Sequence, residues 1–272
     1  MFFDCPRCGL ELTSTDEKTR KCSLGHSYDR AKEGYFNLLL SSVGGTHGDN
    51  IEMVRARRDF LSFGYYEPMA TRVAERVLSV HPTGGILLDM GLGEGYYTDL
   101  VEREIYSRDE DSCVLGFDIS KDAVKLASRR NKRISLAVAS SYSVPLGDGK
   151  VDTVLNLFSP MALTEVSRVL KPNGHFVFVY PGEDHLFGLK EAVYDTPYKN
   201  KPEPSEIEGF ELVFSEEIRY TVTIDGRERV SALFMMTPYA YRTGKRERER
   251  ALTLDSVTTE LDFVINVYRK AD

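Results

Sequence analysis

Strands alternating with helices through the middle of this chain predict an α/β fold built on a doubly wound, mostly parallel sheet, with a small cysteine-bearing module in front of it. Three observations carry that expectation. Short apolar runs near 85–90, 113–118, 134–139, 152–160 and 175–180 are separated by helix-like stretches. Gly91, Gly93 and Gly95 follow the first of these runs directly, and three of the four cysteines lie within the first 22 residues.

Composition bounds the reading. The 272 residues suffice for one full α/β domain plus a small appendage, and 42% hydrophobic with 28% charged residues describes an ordinary globular chain rather than a disordered or fibrous one. No apolar run approaches the ~18 residues of a membrane helix. The start, Met1-Phe2-Phe3-Asp4-Cys5, has no basic region or cleavable apolar stretch, so a cytoplasmic protein with no membrane partner is expected. The net charge of −7 does not bar nucleic acid, because residues 1–60 carry nine basic and nine acidic groups and the acidic excess falls on 61–272.

Taken in order, Cys5-Pro6-Arg7-Cys8 is followed by Cys22-Ser23-Leu24-Gly25-His26. The spacing C-x2-C-x13-C-x3-H supplies three thiolates and one imidazole, the donor set of a closed tetrahedral zinc site, and the 13 intervening residues suit a short hairpin. A redox C-x-x-C competes, but His26 completes the ligand count. A module this small depends on its metal to fold. The boundaries expected are 1–40 for this module, 41–48 for a glycine-rich linker and 49–272 for the main domain. Cys113 reads as a small buried residue entering a strand.

Asp49 with Glu52 forms a capping box for a helix whose outer face presents Arg55, Arg57 and Arg58; Gly64 ends it, and a second helix runs from about Pro68 to Leu78. Gly85–Met90 is a buried strand, the glycines after it a turn that lets backbone approach a ligand, and Tyr96 opens a helix. The next strand ends in Asp118, 23 residues beyond Gly95, where a carboxylate can receive ribose hydroxyls. Ser120 caps the helix that follows. Ile134–Ala139 and Asp152–Pro160 are further strands, Leu163–Leu170 a helix closed by Lys171–Gly174, and His175–Tyr180 a fifth strand. The tail, with strands at Phe210–Ile224 and Leu261–Tyr268 around an apolar stretch 232–236, suits antiparallel pairing at one sheet edge. Lys245–Arg250 alternates in charge sign, as a solvated helix or loop does.

Leu88-Asp89-Met90-Gly91-Leu92-Gly93-Glu94-Gly95, Asp118 closing the second strand, and "RVLKPNG" before the fifth resemble the Rossmann-like class I methyltransferases that use S-adenosylmethionine. With the zinc constellation, "YDRAKEGYFNLL", "RARRDFL", "GEGYYT" and "PGEDHLFGLK", the chain resembles the 23S rRNA guanine-N1 methyltransferase family (RlmA-like) over nearly its whole length. Leu92 departs from it, standing where relatives carry a cysteine. The resemblance implies methyl transfer to an unpaired guanine of a 23S rRNA hairpin near the peptide exit tunnel. One branch of that family is linked to macrolide (tylosin) resistance; Asn156–Pro160 leans towards that branch, and the sequence leaves the choice open.

On this reading Asp89 and Glu94 put negative charge near the cationic end of the cofactor, Gly91, Gly93 and Gly95 admit its amino-acid portion, Asp118 holds the ribose and Ser140 flanks the adenine. The resemblance adds Tyr66, His185 and the Gly95-Tyr96 backbone. Phe158, Pro160 and Tyr180 are candidates to sandwich the base. No catalytic base stands out; Asn156, Glu183 and Asp184 are the weak candidates. Lys18, Arg20, Lys21, Arg30 and Lys32 of the module, with Arg55, Arg57 and Arg58, are expected to meet RNA phosphates. Each has a plainer reading: a turn cap for Asp89, a loop histidine for His185, packed aromatics for Tyr66, Phe158 and Tyr180, a solvated face for the arginines. The alternatives in function are a methyltransferase acting on another RNA or a small molecule, a nicotinamide-dependent oxidoreductase, and a non-catalytic zinc-ribbon RNA-binding protein. A homodimer is compatible with the sequence. If the module only reads RNA, loss of its metal should spare cofactor binding.

Overall fold

The computed structural model describes residues 3–14, 16, 18–40 and 48–271. The expected linker at 41–48 thus lies outside the described residues except for Gly48.

The N-terminal module is a three-stranded antiparallel sheet of β1 (Thr13–Ser14), β2 (Thr19–Lys21) and β3 (Ser27–Asp29), the first two strands forming the expected hairpin. β4 (Phe36–Asn37) leaves it to pair elsewhere. After α1 (Ile51–Leu61) and α2 (Glu67–Val80) the alternation begins: β5 (Ile86–Met90), α3 (Tyr96–Arg108), β6 (Cys113–Asp118), α4 (Lys121–Arg130), β7 (Ser135–Val138), β8 (Val151–Leu157), α5 (Leu163–Val169) and β9 (Leu170–Pro181). The remainder comprises α6 (Phe187–Val193), β10 (Phe210–Asp225), α7 (Arg227–Met235), α8 (Tyr239–Arg242), α9 (Lys245–Thr253) and β11 (Ser256–Lys270).

One sheet of eight strands runs β10-β11-β9-β8-β5-β6-β7-β4. β4 to β9 pair in parallel, while β11 lies antiparallel between β9 and β10, as the tail's pattern predicts. The chain order reverses between β5 and β8, which opens a crevice at their carboxyl ends. Side chains alternate across the sheet. Leu87, Leu155, Val177 and Val179 join Phe60, Val73 and Val101 of the helical layer on one face. Leu88, Met90, Val154, Phe176 and Phe178 face the other.

On that second face the path from β7 to β8 contains no helix; residues 139–150 run as turns and short bridges. A doubly wound sheet normally buries such a face under a crossover helix. Here the N-terminal module takes that place. Phe3, Cys5, Leu12 and Cys22 share one buried cluster with Leu88, Leu115 and Val151, and Phe3 is 1% exposed. Asp4 pins the helixless loop: its N–H donates to the Pro145 carbonyl at 2.8 Å, and its carboxylate accepts from the Gly147 N–H at 2.6 Å. β4 completes the join by pairing Phe36 and Asn37 with Ala137 and Val138.

Some local expectations change. Asn50, not Asp49, caps α1, its side chain accepting from the Met53 N–H at 2.9 Å, because Asp49 is turned to Arg57. Cys113 is half-buried rather than buried. The apolar stretch 232–236 falls in α7 and its cap at Met236, while 245–250 is helical, one of the two forms expected for it. β9 begins at Leu170, so the Lys171–Gly174 turn falls inside the strand's span; Asn173 takes a positive φ of 60° there. No helix is long and apolar enough to cross a membrane among the described residues.

Candidate active site and metal centre

The metal centre is the simpler site. The Cys5 and Cys22 thiols each lie 3.4 Å from the Nδ1 atom of His26, and the Cys8 and Cys22 sulfurs are 3.7 Å apart. All four donor atoms fall within 4.8 Å of one another. A zinc tetrahedron with bonds of about 2.3 Å to sulfur and about 2.0 Å to nitrogen sets its ligand atoms about 3.5–3.8 Å apart, so donors and spacing fit zinc. The knuckle forms because Gly9, at a φ of 70°, lets its N–H turn back to the Cys5 carbonyl at 2.8 Å. The Tyr28 hydroxyl, 3.3 Å from the Cys5 sulfur, is a further contact that the ligand spacing does not reveal.

The second site is a cavity of about 630 Å³ at the sheet's reversal point. Asp89, Gly91, Gly93, Asp118, Ser140, Tyr66 and His185 all line it, from five separate parts of the chain. Glycine is required at 91: its φ is 90°, and a Cβ there would stand 2.1 Å from the Ser159 hydroxyl. Asp89 is 1% exposed; one oxygen accepts from the Thr98 hydroxyl at 2.6 Å and the other, Oδ1, has no partner. Burial pushes this carboxyl up to about 7. Asp118 accepts the Ser120 N–H at 2.7 Å and the Gly93 N–H at 3.0 Å, which fixes its carboxylate while a lone pair on each oxygen remains free.

Tyr66 and His185, far apart in sequence, form a buried pair in the cavity wall, Tyr66 hydroxyl to His185 Nε2 at 3.1 Å. His185 Nδ1 accepts from the Asp262 N–H at 3.3 Å. Burial holds the ring's pKa down to about 3, so it is neutral, with its one proton on Nε2 facing the tyrosine oxygen. The tyrosine then accepts from histidine and is left with its own proton to donate.

Three other candidates lie around this centre without lining it. Glu94 is 2% exposed, with one oxygen on Arg130 at 2.5 Å and the other, Oε1, unpartnered; Gly95 packs its backbone against Ala127; Tyr96 starts α3 beneath the Arg130 guanidinium. Asn156 is fully buried, its amide donating to the Pro160 carbonyl at 3.3 Å and its oxygen unpartnered. Asp184 is held between Lys199 and Arg219, each 2.8 Å away, and these cations, Lys199 foremost, keep its carboxyl below the usual range. Glu183 is exposed and is not among the cavity's lining residues.

The remaining wall is apolar and aromatic, with Phe158, Pro160, Phe178 and Tyr180. Phe158 is 42% exposed and holds a φ of 55°, a left-handed conformation that a bulky side chain rarely takes. Glu203 and Tyr142 also line the cavity. Both sit in irregular segments without periodicity, and the Pro- and Glu-rich stretch around Glu203 gave no signal of a site.

Of the expected RNA-facing cations, Lys18, Lys21, Arg30, Lys32 and Arg55 are exposed. Arg20 is half-buried against Ser14 and over the Phe36 ring, and Arg58 is paired with Asp59. Arg57 corrects the expectation: it does not share the outer face of α1 but lines the cavity, bound to Asp49 and to the Met236 carbonyl at 3.3 Å.

Comparison with known proteins agrees with this geometry. Residues 3–40 match the model described as "RlmA, N-terminal", and residues 88–178 match "Methyltransferase domain". The 23S rRNA (guanine(748)-N(1))-methyltransferase of Streptomyces fradiae is 31% identical, the alignment covering 97% of this chain and 96% of that one. This chain belongs to the 23S rRNA (guanine-N1)-methyltransferase family. A putative 23S rRNA (guanine-N1)-methyltransferase of Bacillus subtilis is 29% identical over the same shares, and one of Micromonospora griseorubida 33% identical over 70% of this chain and 68% of its own. The family member is therefore a class I methyltransferase with S-adenosylmethionine as methyl donor and a structural zinc. For the donor, the fit rests on the unpartnered Asp89 oxygen and the side-chain-free glycine cradle, both opening on the cavity.

Proposed function

We propose that this chain methylates N1 of an unpaired guanine in 23S rRNA. The observation that carries the reading is the cavity itself, with a fixed carboxylate and glycine end and an exposed aromatic end meeting in one space. At the first end, Asp89 would face the cofactor's ammonium, Asp118 the ribose hydroxyls and Ser140 the adenine, with the Tyr66 hydroxyl donating from the His185 side. Glu94, Gly95 and Tyr96 would support this end by holding the glycine turn and the start of α3 in place. The cofactor supplies an electrophilic methyl carbon on a cationic sulfur.

At the second end, a guanine must arrive unpaired, because N1 lies on its pairing edge. Phe158, Pro160 and Tyr180 would hold the extruded base, and the strained backbone of Phe158 keeps its ring presented before any base arrives. Methylation at N1 requires the N1 proton to leave. Among the described residues lining the cavity, Glu203 is the carboxylate outside both the cofactor end and any ion pair, and we assign it that proton in place of Asn156, Glu183 or Asp184. Glu203→Gln should lower the methyl-transfer rate about 10²-fold or more while leaving S-adenosylhomocysteine affinity unchanged. An undiminished rate removes Glu203 from the reaction.

The choice of guanine follows the family: the Streptomyces fradiae relative is named for guanine 748. A link to macrolide resistance would follow if this chain belongs to the branch towards which Asn156–Pro160 leans. Labelled methyl transfer tests the substrate class. Incorporation into unmodified 23S rRNA, and not into tRNA, DNA or free guanosine, is expected; labelling of free guanosine alone points to a small-molecule enzyme.

A further inference from the structure

The segment 121–133 carries six cations against one acid, Asp122, in a chain whose net charge is −7. Two of the six, Arg130 and Arg133, are turned to the buried carboxylates Glu94 and Glu102. Of the other four, Lys121, Lys125 and Arg129 fall four residues apart, which stacks them in one stripe along α4, and Lys132 follows just past the helix's extended cap at Asn131. The stripe starts at the cavity: Ser120 caps α4, and its neighbour Ile119 lines the cavity wall. It ends on the zinc module, where Glu33 receives Arg129 at 3.1 Å and stands 3.7 Å from Lys125, while its carbonyl accepts from Lys132 at 2.9 Å. At 1.5 Å per residue the three helical cations span about 12 Å.

We infer that this stripe is a track for the phosphate backbone of the substrate RNA, leading from the zinc module to the rim where the base enters. This rests on the rRNA reading above and names a surface that the module's own lysines and arginines do not include. Evenly spaced cations on an otherwise acidic chain match a polyanion of repeating charge. Glu33 is the opposing carboxylate in the stripe, and RNA phosphates would compete with it for Lys125 and Arg129. A purely structural clamp between module and helix would need the Glu33 contacts but not the exposed charge of Lys121, which takes no part in them.

The test measures binding of an unmodified 23S rRNA hairpin fragment by fluorescence anisotropy across a salt series, with S-adenosylhomocysteine affinity read alongside. For the triple variant Lys121→Gln/Lys125→Gln/Arg129→Gln, the slope of log affinity against log salt should flatten by about 2–3, since each lost phosphate contact removes about 0.7–0.9. RNA affinity near physiological salt should fall tenfold or more, and S-adenosylhomocysteine affinity should hold. Glu33→Gln keeps the track and removes its competitor, so it should bind RNA several-fold tighter. A wild-type slope in the triple variant overturns the track, as does weaker RNA binding by Glu33→Gln. Wild-type protein that holds S-adenosylhomocysteine yet ignores the RNA overturns the rRNA reading itself, and the track with it.

Discussion

At the scale of single residues, burial decides what the cavity's acids can do. Asp89 was legible from its place before the glycines, but its charge state was not, because that depends on losing all access to water. Its carboxyl is pushed up from 3.8 to about 7 by burial, so the empty site holds a proton there at mildly acidic pH. A ligand ammonium favours the charged form. S-adenosylhomocysteine should therefore release a proton on binding near pH 6, read by calorimetry in buffers of different ionisation enthalpy, and its affinity should weaken as pH falls below about 7. The stability sign is opposite. A carboxyl whose folded pKa is raised contributes fully below its unfolded value and loses that contribution as pH rises through the folded one. Asp89→Asn should thus raise the melting temperature of the ligand-free chain at pH 8 while weakening ligand binding and abolishing its pH dependence. Proton-neutral binding at pH 6 by the wild type argues that Asp89 does not meet the ammonium.

At the scale of elements, the strands and helices of the alternating core stand close to where periodicity puts them, because each strand is buried on both faces and each helix has one apolar stripe. What periodicity could not show is how turns interlock. Gly91 was read as room for a ligand, yet its missing Cβ also makes room for Ser159 of the loop after β8. Gly91→Ala should cost about 1–3 kcal/mol in stability from its positive φ alone, and should lower S-adenosylhomocysteine affinity by pushing that loop from β5. Adding Ser159→Gly should restore part of the affinity, since it removes the clash but not the strain. Full affinity in the single variant shows that the loop yields freely. Asn50 displaced Asp49 as the cap of α1 for a similar reason: Asp49 is drawn to Arg57, a tertiary partner that local sequence spacing cannot disclose.

At the scale of the whole molecule, the sequence suggested two parts, a zinc module for RNA and a core for the cofactor, joined by a linker. The ligands, the sheet and its antiparallel edge were all readable from spacing and pattern. The way the parts join was not, because nothing in a sequence marks the absence of a crossover helix until the path from β7 to β8 is traced. Since Phe3, Leu12 and the ligand cysteines cover that face, metal binding and core folding are coupled. Chelation, or Cys22→Ser, should lower the melting temperature of the whole chain in one transition and weaken S-adenosylhomocysteine binding together with RNA modification. Phe3→Ala, which leaves the ligands intact, should cost about 3–5 kcal/mol of the same transition. Retained cofactor affinity after complete zinc loss, as expected if the module only reads RNA, argues for two independent parts.

The central claim, that one cavity brings the donor's methyl to N1 of an rRNA guanine, is tested most directly by mapping the product. Unmodified 23S rRNA is incubated with the protein and S-adenosylmethionine, digested and read by mass spectrometry, with reverse transcription across the site. One methyl on a single guanine, with arrest of the transcriptase there because the pairing edge is blocked, is the result the account predicts. A methyl on another base, on a ribose, or on a guanine position that leaves transcription uninterrupted contradicts it.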